Sequence, residues 1–163
     1  MIINIINKQT LKVDLFKFKC SIGKNGFTKS KKEGDNKTPK GLFSIGSLFY
    51  RKDRKLKFET KLKCVPIKKN MGWCDDIHNY KYNKLIKIDN KIKYEKLYRK
   101  DHKYDFFIPI NYNVKPSIKN KGSAIFIHLT KNYHKTAGCI AISKKDFLIL
   151  LKIINSKTKI KIC

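Results

Sequence analysis

Two short apolar runs joined by a polar segment constrain this chain more than any other feature. Gly122-Ser123-Ala124-Ile125-Phe126-Ile127-His128-Leu129 reads as a buried strand that ends on a histidine. Thr136-Ala137-Gly138-Cys139-Ile140-Ala141-Ile142-Ser143 is a small-residue turn that presents a cysteine and runs straight into a second apolar stretch. A cysteine becomes a nucleophile as its thiolate, so it needs a base or a positive neighbour, and a strand-end histidine can supply one. Gly138 permits a tight backbone and lets a substrate approach peptide N–H groups that could hold an oxyanion. Taken alone, the pair fits simple packing better, because free cysteine is among the most buried residue types and a histidine can be a satisfied core residue. The surrounding sequence has to decide.

The chain has 163 residues, the size of one domain (1–163) with a core of its own. No apolar run approaches the roughly 20 residues of a membrane-spanning helix. The N-terminal Met1-Ile2-Ile3-Asn4-Ile5-Ile6-Asn7 is too short and too Asn-interrupted for a signal peptide and reads as a first strand, which leaves a cytoplasmic location open. The formal net charge of +27 invites a nucleic-acid reading. Against it, the only arginines are Arg51, Arg54 and Arg99, whereas phosphate and base recognition favours arginine forks. The lysines are spread along the whole length, which points to a solvated surface with nonspecific attraction to anionic polymers and no specific nucleic-acid partner. Five cysteines, an odd number without regular spacing, do not make a disulfide framework. Cys74 and His78 are spaced like half a zinc site, but no second close pair completes it, so neither a metal nor a cofactor is expected.

Alternation over residues 2–20 predicts two strands with a turn near Asn7-Lys8. Glu33 to Gly41 reads as a loop, and Leu42-Phe43-Ser44-Ile45-Gly46 as strand. Residues 51–70 are basic and poorly periodic, an expected exposed excursion. Met71-Gly72-Trp73-Cys74-Asp75-Asp76 sets the single tryptophan beside two acids. Residues 105–113 read as a strand in which Pro109 marks an edge or an irregularity. Ser143 with Asp146 three residues on predicts a helix start, and Phe147, Leu150, Leu151 and Ile154 give that helix one apolar face. Residues 157–162 alternate again. The expected fold is mainly β, a β-sandwich or partly closed barrel with one short C-terminal helix.

These words, in order, resemble the YkuD-type L,D-transpeptidase catalytic domain. They are Glu33-Gly34-Asp35 with Lys37-Thr38-Pro39-Lys40-Gly41, then Gly72-Trp73-Cys74-Asp75-Asp76 with Tyr82-Asn83, then Tyr104-Asp105 with Tyr112-Asn113, and finally the His128 and Cys139 segments. The resemblance implies acyl transfer in peptidoglycan. The peptide bond after the diamino acid of a tetrapeptide stem is attacked, D-alanine leaves, and the acyl group passes to an amine or to water. It further implies Cys139 as nucleophile, His128 as base, the Leu129 carbonyl as the group that orients the imidazole, and backbone N–H groups around Gly138 and Cys139 as oxyanion hole. Trp73, Asp75, Asp76 and Tyr112 become substrate-cleft candidates, and the Pro39-Lys40-Gly41 turn a support for the site. The implied partners are peptidoglycan stem peptides met by a monomer, and the implied location is the cell envelope or periplasm.

Two departures bear on the acceptor. Better-known members carry a second histidine before the Gly-Cys pair and an Arg or Asn two residues after the cysteine, where this chain has Ala137 and Ala141. The His-to-Cys spacing is also short, and His134 lies within it as a substitute candidate. An L,D-carboxypeptidase, a degenerate member without turnover, and a basic non-catalytic module that binds an anionic polymer are the alternatives.

Overall fold

A computed structural model describes residues 1–163. The N-terminal half runs through β1 (Ile2–Asn7), β2 (Thr10–Val13), β3 (Phe16–Ser21), β4 (Phe27–Thr28), β5 (Thr38–Pro39), β6 (Gly41–Ser44) and β7 (Leu48–Tyr50). It continues through β8 (Cys64–Pro66), β9 (Met71–Cys74), β10 (Leu85–Lys87), β11 (Tyr94–Lys96) and β12 (Phe106–Pro109). β13 (Phe126–Leu129), β14 (Ile140–Ile142), helix α1 (Lys144–Ile153) and β15 (Lys159–Ile162) complete the chain. One sheet of ten strands, in the order β6-β15-β1-β2-β3-β14-β13-β12-β7-β8, forms the body. Its β6 end returns to β12 through an Ile45–Ile110 bridge and a bond from the Gly46 N–H to the Pro109 carbonyl at 2.8 Å, so the sheet curls toward a barrel.

The side-chain period of two sorts residues between two cores. Ile3, Ile5, Leu11, Phe18, Ile127, Ile140, Ile142 and Ile160 point into the main core, which α1 closes with Phe147, Leu150 and Leu151. Ser143 caps that helix by accepting from the Asp146 N–H at 3.1 Å. On the opposite face, Phe49, Phe107, Phe126 and Cys139 pack under Trp73, Leu97 and Tyr104, contributed by the sheet β10-β9-β11 and the segment after it. β13 and β14 are parallel neighbours buried on both faces, which is why both read as unbroken apolar runs.

Several local expectations change. Residues 2–21 form three strands: the apparent Leu11-Val13-Leu15 alternation breaks at Asp14 (φ +51°), and Leu15 is left 92% exposed at a hairpin tip. The 51–70 stretch contributes a 3-10 turn at Lys52–Arg54 and strand β8, and buries Leu62 and Ile67. β12 is an interior strand between β7 and β13; Pro109 is tolerated there as its last residue, with its carbonyl still accepting from Gly46. β13 starts only at Phe126, because Ala124 adopts a left-handed conformation (φ +51°) that no strand accommodates.

Candidate active site

The β13–β14 ladder sets Cys139 and His128 together. Its parallel register pairs His128 with Ala141, so Cys139, two residues before Ala141, projects from the same face on the neighbouring diagonal. Both line one cleft of about 760 Å³, with Gly138, Tyr104, Asp75 and Glu95 among its walls.

His128 is 6% exposed, and its Nδ1 lies 2.9 Å from the Leu129 carbonyl oxygen. A carbonyl can only accept, so the proton sits on Nδ1 and Nε2 keeps a lone pair. Tyr104 packs edge-on against the imidazole at 5.3 Å between ring centres. Burial lowers the His128 pKa to about 4, opposed by the bond to Leu129. Cys139 is 8% exposed; its thiol donates to the Ala124 carbonyl at 3.2 Å and accepts from the Phe126 N–H at 3.3 Å. Burial pushes the thiol up to about 12, the Glu95 carboxylate adds to this, and the Phe126 N–H and Lys31 oppose it. At neutral pH the resting pair is therefore a thiol and a neutral imidazole.

The turn that presents the cysteine is held on both sides. The Thr38 hydroxyl donates to the Gly138 carbonyl at 2.8 Å and accepts from the Gly23 N–H at 2.9 Å. The Thr136 hydroxyl donates to the Cys139 carbonyl at 2.6 Å and accepts from the Gly138 N–H at 3.1 Å. Gly138 has φ +146°, and a Cβ there would meet the Lys37 carbonyl oxygen at 2.9 Å, so both conformation and space demand glycine. The Gly138 N–H is thus committed to Thr136.

A second support lies behind the thiol. Buried Asn83 accepts from the Trp73 indole N–H at 2.9 Å and the Ala124 N–H at 3.1 Å, and donates to the Tyr112 and Asn113 carbonyls at 3.0 and 2.7 Å. The three arginines converge on one clamp. Arg51 bonds the Arg99 carbonyl and stacks 3.6 Å over the Tyr98 ring, Arg54 pairs with Asp105, and Arg99 pairs with Asp101 at 2.6 Å. Their rigid forks hold the segment that carries Tyr104 under His128, which accounts for arginine here in a chain otherwise rich in lysine.

Of the residues singled out in the sequence, Cys139, His128, Gly138, Asp75, Asp76 and His134 line the cleft, and the Leu129 carbonyl meets His128. Trp73 and Tyr112 do not: Trp73 packs edge-on against Phe126, and the Tyr112 hydroxyl donates to the Lys121 carbonyl at 2.6 Å. Asp76 accepts from the His78 N–H at 3.0 Å and caps its own turn. Asp75 differs, because its buried Oδ1 has no hydrogen-bond partner. Sequence reasoning missed Glu95, Tyr104 and Glu33 as cleft residues. Glu95 accepts from the Tyr104 hydroxyl, and Glu33 accepts from Tyr82 and, at 2.8 Å, from Ser123. Burial raises the pKa of Asp75 and of Glu95; Glu33 adds to both, while Lys93 opposes the shift of Asp75, and the Tyr104 bond and Arg99 oppose that of Glu95. Glu95 sits in a lysine-rich stretch with no motif around it, so only the fold could bring it to Cys139.

A search of curated proteins and a search of solved structures found no match. A family model, that of the YkuD L,D-transpeptidase catalytic domain, matches residues 2–162. That match takes in every strand from β1 to β15 together with the cleft, and on it the chain belongs to the YkuD L,D-transpeptidase catalytic domain family.

Proposed function

We propose that this chain is a cysteine acyltransferase acting on peptidoglycan tetrapeptide stems, with residues 1–163 as one catalytic domain. The observation that carries the reading is the placement of Cys139 and His128 on one face of adjacent parallel strands in one cleft, with the imidazole proton committed to the Leu129 carbonyl. The thiol turns from Ala124 and gives its proton to Nε2 of His128 as Sγ attacks the carbonyl carbon of the diamino acid. The His128 proton then passes to the departing nitrogen, D-alanine leaves, and a thioester remains on Cys139. An amine or water attacks the thioester, gives its proton to His128, and the thiolate leaves and is reprotonated. A neutral imidazole suits this cycle, since the base is already free at neutral pH. With the Gly138 N–H committed to Thr136, the N–H of Cys139 itself is the oxyanion donor, a contribution of roughly 2.7–4 kcal/mol per donor in comparable sites.

Four of the twelve acids of the chain, Glu33, Asp75, Asp76 and Glu95, line the cleft beside six lysine and arginine residues, and this gathering of carboxylates supports a donor that carries an ammonium group. Asp75, with its unpartnered oxygen, is the residue to meet it. Ala141 beside His128, and Ala137 in the cleft wall, offer no polar side chain to an acceptor amine, which favours water and thus L,D-carboxypeptidase chemistry. Incubation with a disaccharide tetrapeptide tests both points. D-alanine release that requires Cys139 and His128 is expected, with tripeptide as the main product; crosslinked dimer as the main product would assign the transpeptidase outcome. No D-alanine release by the native chain would overturn the enzymatic reading.

A further inference from the structure

The face of the ten-stranded sheet that carries Cys139 and His128 does not stop at the cleft. Ala141 pairs with Ser21, so the same face continues from β14 onto β3 and then across β2, β1, β15 and β6. Over β12 to β14 it is covered by the small sheet; over these five strands Lys12, Lys17, Lys19, Lys159 and Lys161 stand exposed on it. The ladder registers set Lys161, Asn4, Lys12 and Lys17 in a single row across four strands, with Leu42 beside Lys161 on the fifth. Lys12 is directly opposite Lys17, a like-charge pair that works against the sheet. No acidic residue occurs in any of the five strands, and Lys12, Lys17, Lys159 and Lys161 belong to none of the ion pairs of the molecule. Lys19 is partly engaged, its ammonium 4.6 Å over the Tyr133 ring.

Apolar groups share this region. Of the nine large hydrophobic residues left exposed, six belong to these strands or their ends: Ile2 and Leu42 pair with Lys159 and Lys161 on the lysine face, Met1, Ile6 and Leu15 lie at strand ends, and Phe16, opposite buried Val13, projects from the other face. Leu15 projects from the β2–β3 tip at 92% exposure. A soluble polyanion would use the lysines and leave these groups in water. A bilayer of anionic lipid would use both, with the lysines against the headgroups and the apolar side chains below them.

We propose that this lysine-bearing sheet face, with the Leu15 tip, is a docking surface for an anionic lipid bilayer. Docking there would set the catalytic strand beside a membrane surface. The inference is independent of the acyl-transfer chemistry, so the Cys139→Ala chain should bind as the native one does.

Co-sedimentation tests it, with vesicles of phosphatidylcholine alone or mixed with phosphatidylglycerol, and with soluble polyphosphate as the comparison. The native chain should bind the mixed vesicles at least tenfold better than the neutral ones, and this preference should shrink as salt rises. Leu15→Ser should weaken vesicle binding severalfold and leave polyphosphate binding unchanged. The combined Lys12→Gln, Lys17→Gln and Lys161→Gln chain should lose at least tenfold on mixed vesicles while its thermal midpoint holds. No vesicle binding by the native chain, or vesicle and polyphosphate binding that are both insensitive to Leu15→Ser, would overturn the proposal; the second result would assign the face to a soluble polyanion.

Discussion

The thiol of Cys139 donates to the carbonyl of Ala124, 3.2 Å away, and Ala124 holds that carbonyl in place only by adopting φ +51°. A left-handed alanine is sterically unfavourable and persists where its surroundings over-determine it. Those surroundings are Asn83, whose Oδ1 takes the Ala124 N–H. The resting position of the Cys139 thiol is thus set by a side chain far from it in sequence.

Asn83→Ala should cost about 3 kcal/mol of stability. It removes an amide that satisfies four groups and leaves two buried ones, the Trp73 N–H and Ala124 N–H, without a partner. For a domain of this size that corresponds to a fall in thermal midpoint of roughly 6–12 °C. Calorimetry checks it; a shift of a degree or less would mean that Ala124 is held by other means.

Thr38→Val keeps the shape of a fully buried side chain and removes its hydroxyl. The Gly138 carbonyl and Gly23 N–H lose their partner, at about 1–3 kcal/mol each if left dry. Thr38→Ser should retain most of the stability, and kcat should fall further in the valine than in the serine chain, as the turn carrying Cys139 loosens. Equal stability of the valine and native chains would contradict the role given to Thr38.

The acid side of the stability profile should carry the signature of His128. Its folded pKa of about 4 lies below the unfolded value of 6.5, so between these values the unfolded chain binds a proton that the folded chain does not. Stability attributable to this site is complete above about pH 6.5 and is lost as pH falls toward 4, by up to about 3 kcal/mol. Asp75 and Glu95, whose pKa values are raised, contribute with the opposite sign, so the comparison is native against His128→Gln. Denaturant titrations should show the native chain losing more stability than the variant between pH 6.5 and 4. Parallel profiles would mean that the imidazole is not held neutral.

Strands β13 and β14 were legible because they are buried on both faces and read as apolar runs, and the helix because Ser143, Asp146 and a 3.6-residue apolar face agree. The second hairpin was not, since Leu15 continues an alternation that the chain abandons at Asp14. Cys139 and His128 were paired by the family resemblance, and in the structure they meet because Cys139 directly precedes β14, the parallel neighbour of β13. Glu95, Tyr104 and Asn83 could not, because each reaches the site through long-range packing. Trp73 was drawn toward the cleft by its neighbours Asp75 and Asp76, although alternation along β9 and the bond to Asn83 turn its indole away.

The most direct test of the central claim is intact-protein mass spectrometry after incubation with a carbapenem, a β-lactam that traps an activated cysteine as an acyl-enzyme. The native chain should gain one adduct of the drug mass, the Cys139→Ser chain none, and the His128→Ala chain should acylate at least a hundredfold more slowly. A native chain that remains unmodified, with Cys139 also inert to small alkylating reagents, would contradict a cysteine acyl-enzyme at this site.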